Sequence, residues 1–434
     1  MVSVDCSDLV TNANNMAILP LKEMDDLEGD DRISELPDDI VLNILFQLEM
    51  KEAARTSILS KRWRYLWNNW PDLDFDHLKI IPECSNYEHL NPNETMKYLD
   101  WVNQIIKMHR GHSINKFRAR LVFHERQVCD INISRWVKFA LSKRVKNLEL
   151  ELPLSNPVKP DLKPSLLESG NNFLTCLHLS GVDVSGELLE FVLLECRLLE
   201  RLFVKGSRTL ERLKVASFKL KQLSILYCVP LEELEIDAVN LSYLDYAGRL
   251  TIQFKSFPSS LVEVTLHGGC VVAKVPICQQ IAGFASQLSK FVLCFLMYII
   301  PNPKDCVICN IPAKGLPCFS NLKFLELSHT PELMVDLPSI TRLVGACPML
   351  CEFKIQARVL EGLEPLEPAS WGDIYIYDHS EAEDQIEYKP KALPSLRVFE
   401  LVGFRGGDDD VNLVLTILDM AVQLHTVNKS CKEA

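Results

Sequence analysis

The sequence predicts an α/β protein: a small module of three helices at the amino end, followed by an irregular, curved array of short strands. Three observations carry that reading. A six-residue pattern, leucine-x-x-leucine-x-apolar, recurs from residue 145 to residue 401. A window of about forty residues near the amino end is apolar on more sides than an ordinary surface helix. The chain, at 434 residues, is too long for one compact core and suits a small domain joined to an elongated array.

Residues 1–30 read as a disordered acidic tail. Seven acidic residues stand against Lys22 alone, with neither the basic start nor the apolar core of a signal peptide. The formal net charge of −12 argues against nonspecific nucleic-acid binding, which needs a basic face. The 15 cysteines are scattered, without the spacing of a disulfide framework. They read as reduced thiols of the cytosol or nucleus, most of them small buried hydrophobes. The longest apolar run, Phe291 to Ile300, is closed by Pro301 and falls well short of the ~20 residues a membrane helix needs. It reads as a buried strand, in a soluble cytoplasmic or nuclear protein.

Residues 31–76 form the helical module. Pro37 suits the first helical position, and Asp38 and Asp39 place negative charge where the helix dipole favours it. From Ile40 to Leu48 only Asn43 and Gln47 are polar, so this helix needs burial on more than one side. Leu48-Glu49-Met50-Lys51-Glu52 are all good helix formers, and the first helix is expected to run on through them. A second short helix runs through Ala53 and Ala54 to Ile58 and Leu59. A third carries Trp63, Leu66, Trp67 and Trp70 at i, i+3, i+4 and i+7, one aromatic face. So small a module rarely buries enough surface alone. Its surplus apolar surface is either packed on the next domain, as a cap on the array, or reserved for another protein.

Residues 77–115 are a linker with a connecting helix from Met96 to His109, and residues 116–360 are the array. It opens with a strand over Lys116 to Val122, where Phe117, Ala119 and Leu121 alternate. The six-residue copies begin at Val145, Leu174, Leu199, Leu210, Leu220, Leu231, Leu241, Leu261, Leu288, Leu322, Leu350 and Leu396. This is the leucine-rich-repeat signature, whose closing alternation marks a short strand. Between Leu199 and Tyr246 the starts are too close to admit a helix, so two copies make one coil of about 21 residues with strands on both sides. Elsewhere the inserts are helical in pattern: Glu187 to Leu194, Ile277 to Phe284 and Leu337 to Val344. Residues 361–392 interrupt the rhythm as an acidic loop holding Trp371, Tyr375 and Tyr377. It reads as a solvated loop, or more sharply as a contact for a basic partner segment. Residues 393–434 hold the last repeat and a helix from Val411 to Leu424.

The amino-terminal module resembles an F-box, in the form found in the large plant F-box/FBD/LRR-repeat family. The matching pieces are Asp31-Arg32-Ile33-Ser34, Leu36-Pro37-Asp38, and Arg55-Thr56-Ser57 through Leu59-Ser60-Lys61-Arg62-Trp63-Arg64 to Leu66-Trp67. His109-Arg110-Gly111 resembles the family's junction between F-box and repeats. Leu396 to Phe404 with the following helix resembles the start of an FBD domain, giving a partial FBD-like carboxyl-terminal segment. The resemblance implies that the module binds the Skp-type adaptor of cullin ligases through Leu36, Pro37, Ile40, Ile44, Leu45 and Leu48. Trp63 and Trp67 hold the helices together, and the resemblance also allows both a place at the adaptor edge, Trp63 first. Where most relatives break the first helix with a proline, this chain has none.

Other chemistry is weakly signalled. Cys306 and Cys309 have metal or redox spacing but no second pair nearby. Gly268-Gly269 and Gly406-Gly407 are turns rather than phosphate loops, and no Gly-x-Ser-x-Gly elbow is present. Lys61, Arg62 and Arg64 read as a solvated face rather than a nuclear-import signal. The expectation is a non-catalytic substrate receptor of an SCF-type ubiquitin ligase. No catalytic residue, cofactor, metal, nucleic acid or membrane is expected, and the partners are the adaptor, a cullin through it, and a target protein. The alternatives are a small-molecule-dependent receptor of the same architecture, an F-box repeat protein acting outside a ligase, and an enzyme with a cysteine nucleophile.

Overall fold

The computed structural model describes residues 35–48, 50–56, 61–76, 92–123, 125–154, 156, 158–163, 173–248, 252–255, 258–267, 281–295, 316–329, 337–357, 391–403 and 408–430. The acidic tail, the Cys306–Cys309 pair, both Gly-Gly turns and the acidic loop with its aromatics lie outside them. The chain divides into two units, residues 1–184 with 195–199, and residues 185–194 with 200–434.

The first unit starts with three short helices, α1 (Asp38–Phe46), α2 (Met50–Thr56) and α3 (Lys61–Trp67). α1 does not run on as expected. It closes at Phe46, where the amides of Gln47 and Leu48 bond back three residues, to the carbonyls of Ile44 and Leu45, at 3.1 and 3.0 Å. The reason is tertiary: Phe46 sets its ring edge-on against Trp70, 5.1 Å between centroids, and packing overrides the propensity of the following residues. α3 likewise stops at Trp67, and Trp70 reaches the same cluster from the next turn.

The chain then makes a strand that the sequence reading left inside the helical module. β1 (Asp72–Asp76) pairs in parallel with β2 (Lys116–Arg120), which pairs with β3 (Asn147–Glu151) and that with β5 (Cys176–Ser180). Each alternates, with Leu73, Phe75, Phe117, Ala119, Leu148, Leu150, Leu177 and Leu179 buried. Behind them lie α4 (Pro92–Met108) and α5 (Arg126–Ser142). A polar relay joins these two helices: Trp136 Nε1 donates to Asn103 Oδ1 (3.0 Å), and Asn103 Nδ2 donates to Asn132 Oδ1 (2.8 Å). A short pair, β4 (Asp161–Leu162) with β6 (Asp183–Val184), completes the unit.

The second unit has a long parallel sheet, all in register. Its strands are β7 (Arg201–Lys205), β9 (Gln222–Leu226), β11 (Tyr243–Ala247), β13 (Glu263–His267), β14 (Lys290–Phe295), β15 (Phe324–His329), β16 (Glu352–Ala357), β17 (Val398–Val402) and β18 (Thr426–Ser430). A second sheet holds β8 (Arg212–Ala216), β10 (Glu233–Asp237) and β12 (Gln253–Phe254). The thin stretch is therefore built of coils of 21 residues with a strand on each side, Arg201 pairing with Gln222 and Gln222 with Tyr243. Every leucine-pattern residue from Val145 to Leu401 is at most 7% exposed. Where the coils lengthen, phenylalanines fill them: Phe291 stacks on Phe319 and Phe353 on Phe399, with centroids 5.6 and 5.5 Å apart. At the turns, side chains donate to carbonyls of the preceding coil, as Asn240 Nδ2 to Phe218 O (2.7 Å) and Asn321 Nδ2 to Ser286 O (2.7 Å).

Helices α6 (Gly186–Glu195) and α7 (Leu337–Gly345) stand where expected. Of the expected helix 277–284, residues 277–280 lie outside the description, Ile281 is helical, and residues 282–284 are a turn leading to one 3-10 turn at Ala285–Gln287. The last helix, α8 (Asp408–Met420), ends earlier than expected, and the chain returns to the sheet as β18. The carboxyl-terminal segment thus closes one more coil of the array.

Gly186 opens α6 with its Cα against the Arg212 carbonyl of β8, and a Cβ there would overlap that oxygen. Backbone cannot rotate aside, so Gly186→Ala is expected to cost about 1–3 kcal/mol, the range for overpacked sites. An unchanged denaturant midpoint would show that the helix start relaxes instead.

Candidate functional site

α1 is two-faced in an unusual way. Its inner side, Val41 and Leu45, is completely buried against the other helices. Beside it runs a second apolar row, with Ile40 at 44% and Ile44 at 41% exposed, while Phe46, 43% exposed, stands on another side of the helix against Trp70. Ile40 and Ile44 are four residues apart and so stand one above the other. Pro37 is exposed and Leu36 and Leu48 are half-buried, which extends the patch past both ends of the helix. Single exposed hydrophobics are ordinary, but a contiguous patch marks a contact surface.

The position of Leu36 and Pro37 is fixed by Arg62 of α3. Its guanidinium pairs with the Asp38 carboxylate, Nε to Oδ1 at 2.7 Å, and donates to the Leu36 carbonyl. Arg62 is thus a structural residue of the module. Asp38 and Asp39 sit in the first turn of α1, and Pro37 precedes it with φ −58°.

Of the residues expected at the adaptor surface, the structure brings Leu36, Pro37, Ile40, Ile44 and Leu48 to the outside of the module. Leu45 (0% exposed) and Trp63 (5%) lie within it. Leu45 follows from helix geometry, since it shares the inward face with Val41. Trp63 belongs to the aromatic cluster with Leu66, Trp67 and Trp70, all at most 5% exposed. Phe46, which the sequence does not single out, is 43% exposed although its ring meets Trp70 edge-on.

The module is joined to the segment that follows. His109, at the end of α4, donates from Nε2 to the Trp70 carbonyl (2.9 Å), and the Arg110 amide bonds to Asn68 O (2.7 Å). His109 lines a small cavity with Trp67, Asn68, Leu73, Ile105 and Met108, and its buried Nδ1 has no hydrogen-bond partner among the described residues. Burial holds its pKa below the usual 6.5, the Trp70 hydrogen bond works the other way, and Lys143 adds to the lowering. The unfolded chain therefore takes up a proton below about pH 6.5 that the folded chain refuses, so stability is full above that pH and falls below it. The melting temperature is expected to drop from pH 7 to pH 5, and to drop less in His109→Gln. Equal drops in both proteins would assign the pH dependence elsewhere.

The solvent face of β1–β3 is not a basic site. Arg118 pairs with Glu151 (3.1 Å) and Asp74 (3.7 Å), Arg120 with Glu151 (3.3 Å), and Lys116 with Glu149 (2.9 Å). These charges neutralise one another. Among the described residues no group of side chains could hold a metal ion, and no helix is long and apolar enough to cross a membrane.

Comparison with known proteins places both parts of the chain. Residues 33–74 match the F-box domain family, and residues 162–431 match the family described as At1g61320/AtMIF1, LRR domain. The chain is 26% identical over 442 residues to the F-box/FBD/LRR-repeat protein At1g13570 of Arabidopsis thaliana, covering 93% of this chain and 92% of the relative. It is 26% identical over 443 residues to the F-box/LRR-repeat protein At3g59200 of the same plant, covering 86% and 82%. A putative F-box protein of that plant, At1g58310, is 36% identical over 137 residues, 29% of this chain and 26% of the relative.

Proposed function

The chain belongs to the F-box/leucine-rich-repeat family, and from that premise we propose that it is a non-catalytic substrate-recognition subunit of an SCF-type ubiquitin ligase. The F-box binds a Skp-type adaptor, and through it a cullin, while the repeats hold a target protein. The observation that supports this reading is the outer face of α1, an exposed apolar patch on a helix whose inner face is already filled. Leu36, Pro37, Ile40, Ile44 and Leu48 contact the adaptor in this proposal, joined by Phe46. Leu45 and Trp63 act from inside, by holding α1 in place.

A receptor of this kind raises the local concentration of target lysines near a ubiquitin-loaded enzyme and contributes no reactive group of its own. Covering a half-exposed isoleucine gains roughly 1 kcal/mol, part of the 1.5–3 kcal/mol of full burial, so the patch supplies part of the energy of a contact that surrounding residues complete.

Co-purification with a Skp-type adaptor tests the reading. Wild-type chain is expected to retain the adaptor, and the double variant Leu36→Ala, Pro37→Ala to lose it. Failure of the wild type, or equal binding by the double variant, would refute the proposal. Point variants are preferable to removing residues 31–70, because Trp63, Leu66, Trp67 and Trp70 are buried and their loss would expose the residues they cover.

A further inference from the structure

Three side chains of the second unit form a constellation that adaptor binding does not use. Asp245 on β11, His267 on β13 and Cys294 on β14 stand on one face of the sheet. The register sets His267 directly opposite Cys294 and directly opposite Ala247, so Asp245 reaches it diagonally across one strand gap. Asp245 Oδ1 lies 2.8 Å from His267 Nε2, and the register sets Cys294 beside the same imidazole on the neighbouring strand. The group is shielded: Cys294 is 2% exposed, and the side chains of His267 and Asp245 are 16% and 13% exposed. Ser328, opposite Cys294 on β15, is fully buried.

The sequence Asp–His–Cys in space is one in which a carboxylate orients and charges an imidazole that exchanges a proton with a thiol. Burial works against a charged His267, but the bonds to Asp245 and Cys294 outweigh it and raise its pKa to about 9. The imidazole is therefore protonated at neutral pH. Tyr227 also faces it, ring centroids 6.3 Å apart, with Lys205 Nζ 5.7 Å from the Tyr227 ring, and the Asp245 charge helps raise the pKa of Tyr243. Burial pushes Cys129 and Cys347 up, and Cys196 up to about 11, with no imidazole among the causes of those shifts.

We propose that Cys294 is a peroxide-reactive thiol activated by the Asp245–His267 pair, a modification site on the strand face of the repeats. The small exposure selects the reagent: hydrogen peroxide is little larger than water, whereas bulky electrophiles are excluded. In the thiolate–imidazolium form the sulfur attacks one peroxide oxygen. The S–O bond forms as the O–O bond breaks, sulfur loses two electrons and peroxide gains them. The departing hydroxide takes the proton of His267 and leaves as water, and Cys294 becomes a sulfenic acid, which thiols can reduce back. Asp245 is a positioning residue in this step.

The test uses the full chain. It is treated with limiting hydrogen peroxide at pH 7, quenched with catalase and then unfolded in dimedone, so that trapping does not depend on access to the site. Peptide mass spectrometry reads each cysteine. Cys294 is expected to oxidise at least about tenfold faster than exposed Cys318. His267→Gln and Asp245→Asn should each remove the advantage. Asp245→Asn keeps a hydrogen-bond acceptor for the imidazole, so it reads loss of charge even if His267→Gln fails to fold. Faster oxidation of Cys318 in the wild type, or an undiminished Cys294 rate in Asp245→Asn, would overturn the proposal.

Discussion

Replacing Ile40 and Ile44 together by aspartate is expected to abolish capture of a Skp-type adaptor while leaving the melting temperature of the chain nearly unchanged. Both side chains are more than 40% exposed on the outer side of α1, where substitutions generally move stability by no more than about 0.5 kcal/mol. In a complex the same positions are covered, and a carboxylate there meets apolar surface without a partner. Central interface residues of this kind contribute about 2 kcal/mol or more, so two of them should weaken binding by well over thirtyfold. Trp63→Ala makes the opposite pattern. At 5% exposure Trp63 is structural, and its truncation should cost about 3–5 kcal/mol and lose the adaptor only because α1 is no longer held. Calorimetry beside the same pull-down separates the two. Normal binding by the double aspartate variant would move the docking surface off α1, and an unaltered melting temperature in Trp63→Ala would put that tryptophan outside the core.

The largest loss of stability is expected from Trp136→Ala in α5. Trp136 is fully buried, lies 6.3 Å from the Phe123 ring, and donates its indole N–H to Asn103 on α4. Truncation opens a cavity worth about 3–5 kcal/mol and leaves the Asn103 carbonyl without its indole donor. Trp136→Phe retains most of the volume and should cost only about 1–3 kcal/mol, the penalty of an unmatched buried polar group. Urea unfolding of the full chain measures both. Equal midpoints for the two variants would mean that the hydrogen bond, and not the volume, carries the effect.

The repeat body was legible because its information is local. Leu199, Leu202 and Val204 announce a strand wherever six residues are read together, and the ten- and eleven-residue spacing that follows is incompatible with a helix. Two strands per coil followed from arithmetic. The helical module was legible as a composition, and its exposed patch followed from an excess of apolar residues over interior space. What could not be read was decided at a distance. α1 ends at Phe46 because Trp70, far along the chain, offers its ring edge, while residues 48–52 favour helix by propensity alone. β1 was hidden since its five residues, Asp-Leu-Asp-Phe-Asp, alternate too briefly to stand out beside an aromatic-rich helix. α5 had the periodicity of Ile133, Trp136, Val137, Ala140 and Leu141, which the search for leucine repeats passed over. Asp245, His267 and Cys294 are 22 and 27 residues apart, and only the parallel register brings them together.

The coil of 21 residues makes this stretch a unit of length that can be added or removed whole. Excising residues 222–242 would lay Tyr243 against Arg201 in the register that Gln222 now holds, with Leu244 and Tyr246 replacing Leu223 and Ile225 in the interior. On the opposite side β12 would inherit the place of β10. The shortened chain should fold with its outward residues still outward, whereas removal of ten residues would exchange the two sides of the coil and fail. Such a body can change the reach of its recognition surface by unequal exchange within a gene, with no new core to evolve.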